Sequence, residues 1–287
     1  ASEDSTIAMG GPAMIEGGGL GVYTPEEVGP MSFQVPNGVV DILVKTEEET
    51  VEVAKKYLSY FQGNLQTWEA PDQRALRHIV PENRVRLYDM REIILTLADK
   101  DSVLEIREKF GIGIITAFIR IEGKPMGVVA NNPHHLAGAI DSDGADKGAR
   151  FLQLCDAFDI PVLSLMDCPG MMVGPDVEKT ALVRHCTRMF NTGANLSTPL
   201  FGVIVRKAYG VAAAAHFGPG ATVYAWPSAE RGALPLEGGV AVAFRREIAA
   251  APDPEAYREE LEEKLAKRRS AFPGAESFGV NDLIDPR

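Results

Sequence analysis

LFGVIVRKAYGVAAAAHF, residues 200–217, decides the fold. Its first six residues are apolar or glycine and carry no charge, the composition of a strand buried on both faces. RKAYGV follows directly, and then four alanines, the best helix formers. A strand over 200–205 feeding a helix over 210–217 is therefore expected. The first turn of any helix leaves main-chain N–H groups without acceptors. Alanine and glycine keep side chains clear of those donors, so a negatively charged oxygen can approach them. Tight helix packing asks for the same small residues, and spacing alone does not separate the two readings. Arg206 and Lys207, at the strand end, suit either neutralising a phosphate or carboxylate or anchoring the strand.

Working outward, the same strand, small-residue turn and helix order recurs at Leu136-Ala137-Gly138-Ala139 and at Asp167-Cys168-Pro169-Gly170. IGIITAFIRI (112–121) and MGVVA (126–130), joined by EGKP, form a hairpin pattern. Helical spacing is expected over 144–158 and 178–191, and strands over 161–166 and 223–226. Val39, Val40, Ile42 and Val44 suggest one more short strand. Thr46 followed by three glutamates marks a helix start that runs toward Gly63. Ile93 to Ala98 suits a short helix, and 103–106 a strand. Residues 64–85 are polar, contain Pro71 and Pro81, and read as a linker. Over 254–269 acids precede bases, which suits a solvated terminal helix and its dipole. Alternation of this kind implies an α/β architecture with mainly parallel pairing.

Composition narrows the function. The 287 residues carry a formal charge of −11, which argues against a nucleic-acid partner. No apolar run reaches the ~20 residues that span a bilayer. Cys155, Cys168 and Cys186 form no CxxC pair and read as reduced packing thiols in a cytoplasmic or organelle-matrix setting. The opening ASEDST has no secretory pattern, and the chain is expected to be part of a longer polypeptide. No metal site is expected: His134 and His135 are adjacent and diverge, and HExxH is absent. GxSxG is absent as well, so a serine hydrolase is not indicated.

Longer motifs carry a family resemblance. HLAGAIDSDGADKGARFLQLCDAFDIPVLSLMDCPGMMVGP (135–175), RKAYGVAAAA (206–215) and AWPSAERGALPLEGGVA (225–241) resemble the carboxyltransferase (β) component of biotin-dependent acyl-CoA carboxylases. The similarity extends through VRLYDMREIILTLAD, FIRIEGKPMGVVANNP, STIAMGGPAMIEGGGLG and EEVGPMSFQVPNGVVD, and so covers nearly the whole chain. The resemblance implies a crotonase-like (ClpP/crotonase) ββα superhelix. By it, residues 1–63 are the terminal portion of an N-terminal carboxyltransferase domain. Residues 64–100 are a linker and the start of the second domain, and 101–287 are the C-terminal carboxyltransferase domain.

The same resemblance implies a reaction and a site. CO2 passes from carboxybiotin to the α-carbon of an acyl-CoA, with both charged species held as oxyanions by main-chain N–H groups. The biotin-side donors fall on the amides of Val211 and Ala212, where branches of the family carry glycine at one or both positions. Gly138, Ala139, Gly170, Tyr209 and Gly210 fall around biotin, and Ala214 near a position tied to acyl-chain selectivity. The implied partners are a biotin carboxylase, a biotin carboxyl carrier and the remaining N-terminal carboxyltransferase portion, in a hexameric ring. Three other readings are a related acyl-CoA or malonyl-type decarboxylase, a non-catalytic assembly subunit, and a hydratase using Glu230 and Glu237.

Overall fold

In the computed structural model, which describes residues 1–83 and 86–286, the strands form one eight-stranded sheet. Its order is β1 (Leu104–Ile106), β2 (Ile114–Ile121), β3 (Lys124–Asn131), β4 (Val162–Cys168), β5 (Leu200–Tyr209), β6 (Thr222–Ala225) and β8 (Asp282–Leu283), with β7 (Glu230–Gly232) pairing to β5. β1 to β3 pair antiparallel, as the hairpin pattern implies, and every pairing from β3 onward is parallel. Parallel strands need long crossovers. Here α6 (Ser142–Ala157) links β3 to β4, and α8 (Leu182–Ala194) links β4 to β5.

Both sheet faces are buried, so the strands read as continuous apolar runs while their side chains still alternate. Ile114, Phe118, Val129, Val162 and Ile204 pack against α6, α8 and α9 (Ala212–His216). Ile115, Ile119, Val128, Leu163, Leu165 and Val203 face α5 (Met90–Leu97), joined by Leu76 and Trp226. Residues 64–100 thus contribute to a core: Leu76 is 1% exposed, inside a 3₁₀ turn over Gln73–His78.

The chain ahead of residue 64 is helical. α1 (Pro12–Gly17), α2 (Pro25–Val28) and α3 (Met31–Gln34) are short, and α4 (Glu47–Ser59) starts where expected. Thr46 Oγ1 accepts from Glu49 N at 3.2 Å, satisfying one orphan donor of the first turn. Just beyond α4, Tyr60 stacks on Phe118 with ring centroids 5.4 Å apart, which seats this segment on β2. The strand expected over 39–44 does not form. Val40 is buried with Met31 and Val35 instead, and only a single bridge joins Ser2 to Val44.

The helix expected over 178–191 begins only at Leu182, as α8, after a separate short helix α7 (Pro175–Glu178). Thr180 Oγ1 donates to Val177 O at 2.6 Å, and Ala181 takes a left-handed φ of 60°. That side-chain bond competes with the helical ladder and ends the first segment. α10 (Leu236–Ala243), α11 (Arg245–Ala250), α12 (Pro254–Arg269) and α13 (Ala271–Glu276) close the chain. Among the described residues no helix is long and apolar enough to cross a membrane.

Candidate active site

Strands β3, β4 and β5 run parallel side by side, so the turns that follow them share one edge of the sheet. In open α/β sheets this carboxyl edge is where ligands bind. The three small-residue turns seen in the sequence are brought together there.

β5 extends four residues past the expected end, through Tyr209, and consumes RKAY. The register shows why. Met166 pairs with Ile204 and Cys168 with Ala208, so β5 runs through a bulge beside β4. A bulge leaves ladder donors unpaired, and Asp167 supplies the missing acceptor. Its Oδ1 accepts from Lys207 N at 3.1 Å, and its Oδ2 accepts from Arg206 Nε at 3.0 Å and Tyr88 Oη at 2.9 Å. Arg206 Nη2 lies 2.9 Å from the same Oδ2, with both side chains almost wholly buried. Arg206 also donates to Arg86 O at 2.8 Å and lies over the Tyr88 ring, 4.9 Å from its centroid. Burial and the Asp167 charge hold the Tyr88 hydroxyl well above the usual phenol range. Arg206 is therefore an internal anchor, not a surface cation.

Lys207 crosses to the first turn, donating from Nζ to Ala137 O at 3.0 Å. Leu136, Ala137 and Gly138 adopt φ of 48°, 54° and 90° in succession. Left-handed backbone at a residue with a Cβ costs about 1–2 kcal/mol, so this turn depends on its fastenings. Asn131 provides two: Nδ2 donates to Gly138 O at 3.0 Å, and Oδ1 accepts from Asp167 N at 3.1 Å. A Cβ at Gly138 would lie 2.3 Å from Asp167 O, so no other residue fits. Ile140 N donates to Gly170 O at 3.2 Å, drawing the Ala139 and Gly170 turns together. Cys168 Sγ also donates to Gly170 O, at 3.3 Å. Burial pushes that thiol up to about 12, which suits a packing cysteine and not a nucleophile.

The third turn is the bend between β5 and α9. Gly210, at φ 61°, makes the corner and donates to Gly232 O at 2.9 Å. The helix expected from 210 begins only at Ala212, with Val211 as its N-cap. Among the described residues the amides of Val211 and Ala212 have no hydrogen-bond acceptor. Val211 is 64% exposed, so the bend opens to the surface. Ala214 is exposed one turn further on, while Ala212 and Ala215 are buried and seat α9 on the sheet. His216 fixes the other end of α9, its Nδ1 sharing a hydrogen bond with Ser164 Oγ at 2.9 Å. Burial pushes His216 down to about 4, so it is neutral in the fold. Tyr209 is 1% exposed and donates to Glu230 Oε2 at 2.6 Å. The side chain of Glu237 lies outside the described residues.

The expected residues Gly138, Ala139, Gly170, Tyr209, Gly210, Val211, Ala212 and Ala214 thus lie along one edge. Asn131, Tyr88 and the central role of Asp167 escape a sequence reading. An acid closing the apolar run LSLMD is a usable signal for Asp167. Tyr88 lies 79 residues away in the chain and offers none.

Comparison with known proteins gives a consistent result. The carboxyl transferase domain model matches residues 1–287. The propionyl-CoA carboxylase carboxyltransferase subunit of Haloferax mediterranei is 33% identical over 304 aligned residues, covering 99% of this chain and 58% of that protein. A solved single-chain, multi-domain long-chain acyl-CoA carboxylase is 46% identical with a TM-score of 0.91, over 100% of this chain and 29% of that one. The transcarboxylase 12S structure, a hexamer with methylmalonyl-CoA bound, is 30% identical with a TM-score of 0.87, over 99% of this chain and 57% of that one. The fold is the crotonase-like one of these neighbours, and the chain spans little more than half the length of the curated relative.

Proposed function

This chain belongs to the carboxyl transferase domain family, and from that premise we propose that it forms the biotin-facing part of an acyl-CoA carboxyltransferase. The reading rests on one observation: at the carboxyl edge of the parallel strands, the main-chain donors of exposed Val211 and of buried Ala212 have no acceptor among the described residues. No titratable side chain of the bend is needed. Preorganised N–H dipoles stabilise a developing oxyanion without reorganising, an effect worth about 2.7–4 kcal/mol per donor in a water-excluded site.

Bound carboxybiotin supplies the activated CO2 unit. This chain's residues orient and stabilise. The Val211 and Ala212 amides hold negative oxygen, and the Gly138–Ala139 and Gly170 turns line the approach with little side chain. Gly210 and the main chain of Tyr209 fix the corner, and Ala214, exposed beside the donors, leaves room for an acyl chain longer than acetyl. The Cβ atoms of Val211 and Ala212 narrow the approach while leaving both donors in place.

Residues 1–63 are read as the end of an N-terminal carboxyltransferase domain, 64–100 as a connecting stretch, and 101–287 as the C-terminal domain. The missing N-terminal portion would supply the facing half of the site. A biotin carboxylase and a biotin carboxyl carrier would complete the reaction, in a hexameric assembly. Three buried free cysteines fit a reducing compartment, the cytoplasm or an organelle matrix.

The test is reconstitution with the complementary portion, free carboxybiotin and an acyl-CoA panel. Carboxylation that requires both portions, and that falls when a bend amide is removed, is expected. Full carboxylation by this chain alone, or indifference to the bend amides, overturns the reading. Product formed only in the decarboxylating direction would assign the chain to the related decarboxylases.

A further inference from the structure

Residues of α6, α4, β1 and β2 line a cavity of about 250 Å3. Its charged lining is Asp41, Arg107, Lys147 and Arg150, three cations against one carboxylate in a chain whose net charge is −11. Lys147 is 1% exposed, and among the described residues its Nζ has no hydrogen-bond partner. Arg107 Nε, also buried, is ion-paired with Asp41 Oδ1 at 2.8 Å but outside hydrogen-bond geometry, so its charge is partnered while its N–H is not hydrogen-bonded. Glu105, two residues earlier on β1, is engaged elsewhere: it takes Arg91 through two bonds of 2.7 Å.

A buried ammonium without a counter-charge costs several kcal/mol and is retained only where something compensates it. Among the described residues no hydrogen bond does so here, and Glu105 and Glu108 act on Lys147 only through their charge. We infer that this cavity is a binding site for a small oxyanion of the phosphate class, received by Lys147 from inside, by Arg107 from the wall and by Arg150 from the rim. Dianionic phosphate matches the excess of cations over the single carboxylate and offers several strong acceptors to the unfilled donors. The cavity lining includes no residue of the bend at 210–212.

Burial holds the Lys147 amine down to about 8, with Arg91 and Arg107 adding to the effect and Glu105 and Glu108 opposing it. A bound anion reverses that shift, so binding near or above that pH takes up a proton. Inorganic phosphate is titrated into the 287-residue chain at ionic strength held constant with potassium chloride. The melting temperature is followed together with calorimetry in two buffers of different ionisation enthalpy. A saturable rise in melting temperature is expected, with proton uptake at the alkaline end and no rise for chloride. Arg150→Gln, at an exposed position, should fold normally and weaken phosphate about tenfold, the loss of one charge-assisted hydrogen bond. Lys147→Met should abolish the response and melt higher than the parent without phosphate. Phosphate acting no differently from chloride, or binding equally well to Arg150→Gln and without proton uptake, overturns the site. Should Lys147→Met not fold, those two measurements decide the matter.

Discussion

The Asp167 cluster and the bend at 210–212 occupy the same sheet edge and are built in opposite ways. Around Asp167 the charges are buried and the carboxylate oxygens are filled: one accepts from Lys207 N, the other from Arg206 and Tyr88. The bend residues Gly210, Val211 and Ala212 carry no charge, Val211 is open to the surface while Ala212 is buried, and among the described residues the amides of Val211 and Ala212 have no acceptor. The two are joined covalently, because the bulged stretch of β5 that Asp167 fastens runs directly into the bend. A buried ion pair contributes little net stability but strongly penalises loss of one partner. Such a cluster makes a rigid footing, and a rigid footing lets neighbouring main-chain donors stay unfilled and correctly aimed.

The largest break in this contrast is expected from Asp167→Ala, which strands Arg206 in the interior. It should lower unfolding free energy by about 3–5 kcal/mol, read as a drop in the urea midpoint. A midpoint within experimental scatter of the parent would show that the cluster is not the footing.

Removing a donor while sparing the footing should do the reverse. Val211 has φ −71°, which proline adopts, and it is 64% exposed, so the ring has space. Val211→Pro should change the urea midpoint little and reduce turnover in the reconstituted enzyme about 10²- to 10³-fold. Unchanged turnover would sink the oxyanion assignment.

A third experiment tests how α9 is held. His216 is pushed down to about 4 by burial, from near 6.5 when unfolded. The unfolded chain therefore binds the proton first. The stabilisation from neutral His216 is complete above pH ~6.5 and is lost as pH falls toward ~4, amounting to about 3 kcal/mol. Urea titrations across that window should show a steeper acid decline in the parent than in His216→Gln. Parallel curves would mean that this histidine does not set the acid limit.

The smallest effect is expected at the cross-link between turns. Lys207→Met removes the bond to Ala137 O and should cost about 1 kcal/mol, with amide exchange accelerating locally around residues 136–138. Unaltered exchange there would mean that Asn131 alone holds the strained turn.

How much of this was legible in the chain depends on range. Patterns that repeat within one turn or pleat were readable: the β2–β3 hairpin, α6, α12, the Thr46 cap and the alternation that implies parallel strands. Boundaries set by partners were not. β5 reads as ending at 205 because Arg206 and Lys207 are charged, yet Asp167 on the adjacent strand allows both to remain in the sheet. Val39 to Val44 have strand composition but, among the described residues, make only the single Ser2–Val44 bridge, and α8 starts late because Thr180 bonds back to Val177.

The sequence by itself determined the α/β class, the family, and the positions of the three small-residue turns, because backbone freedom and apolar periodicity are written in neighbouring residues. Only the tertiary structure decided that those turns share an edge, that Arg206 is sealed under it by Asp167 and Tyr88, and that the amides of Val211 and Ala212 are left unfilled. It also brought Asp41, Arg107 and Lys147 to one cavity. Hydrogen-bond completion and charge compensation depend on groups tens of residues apart, and chain folding alone sets those distances.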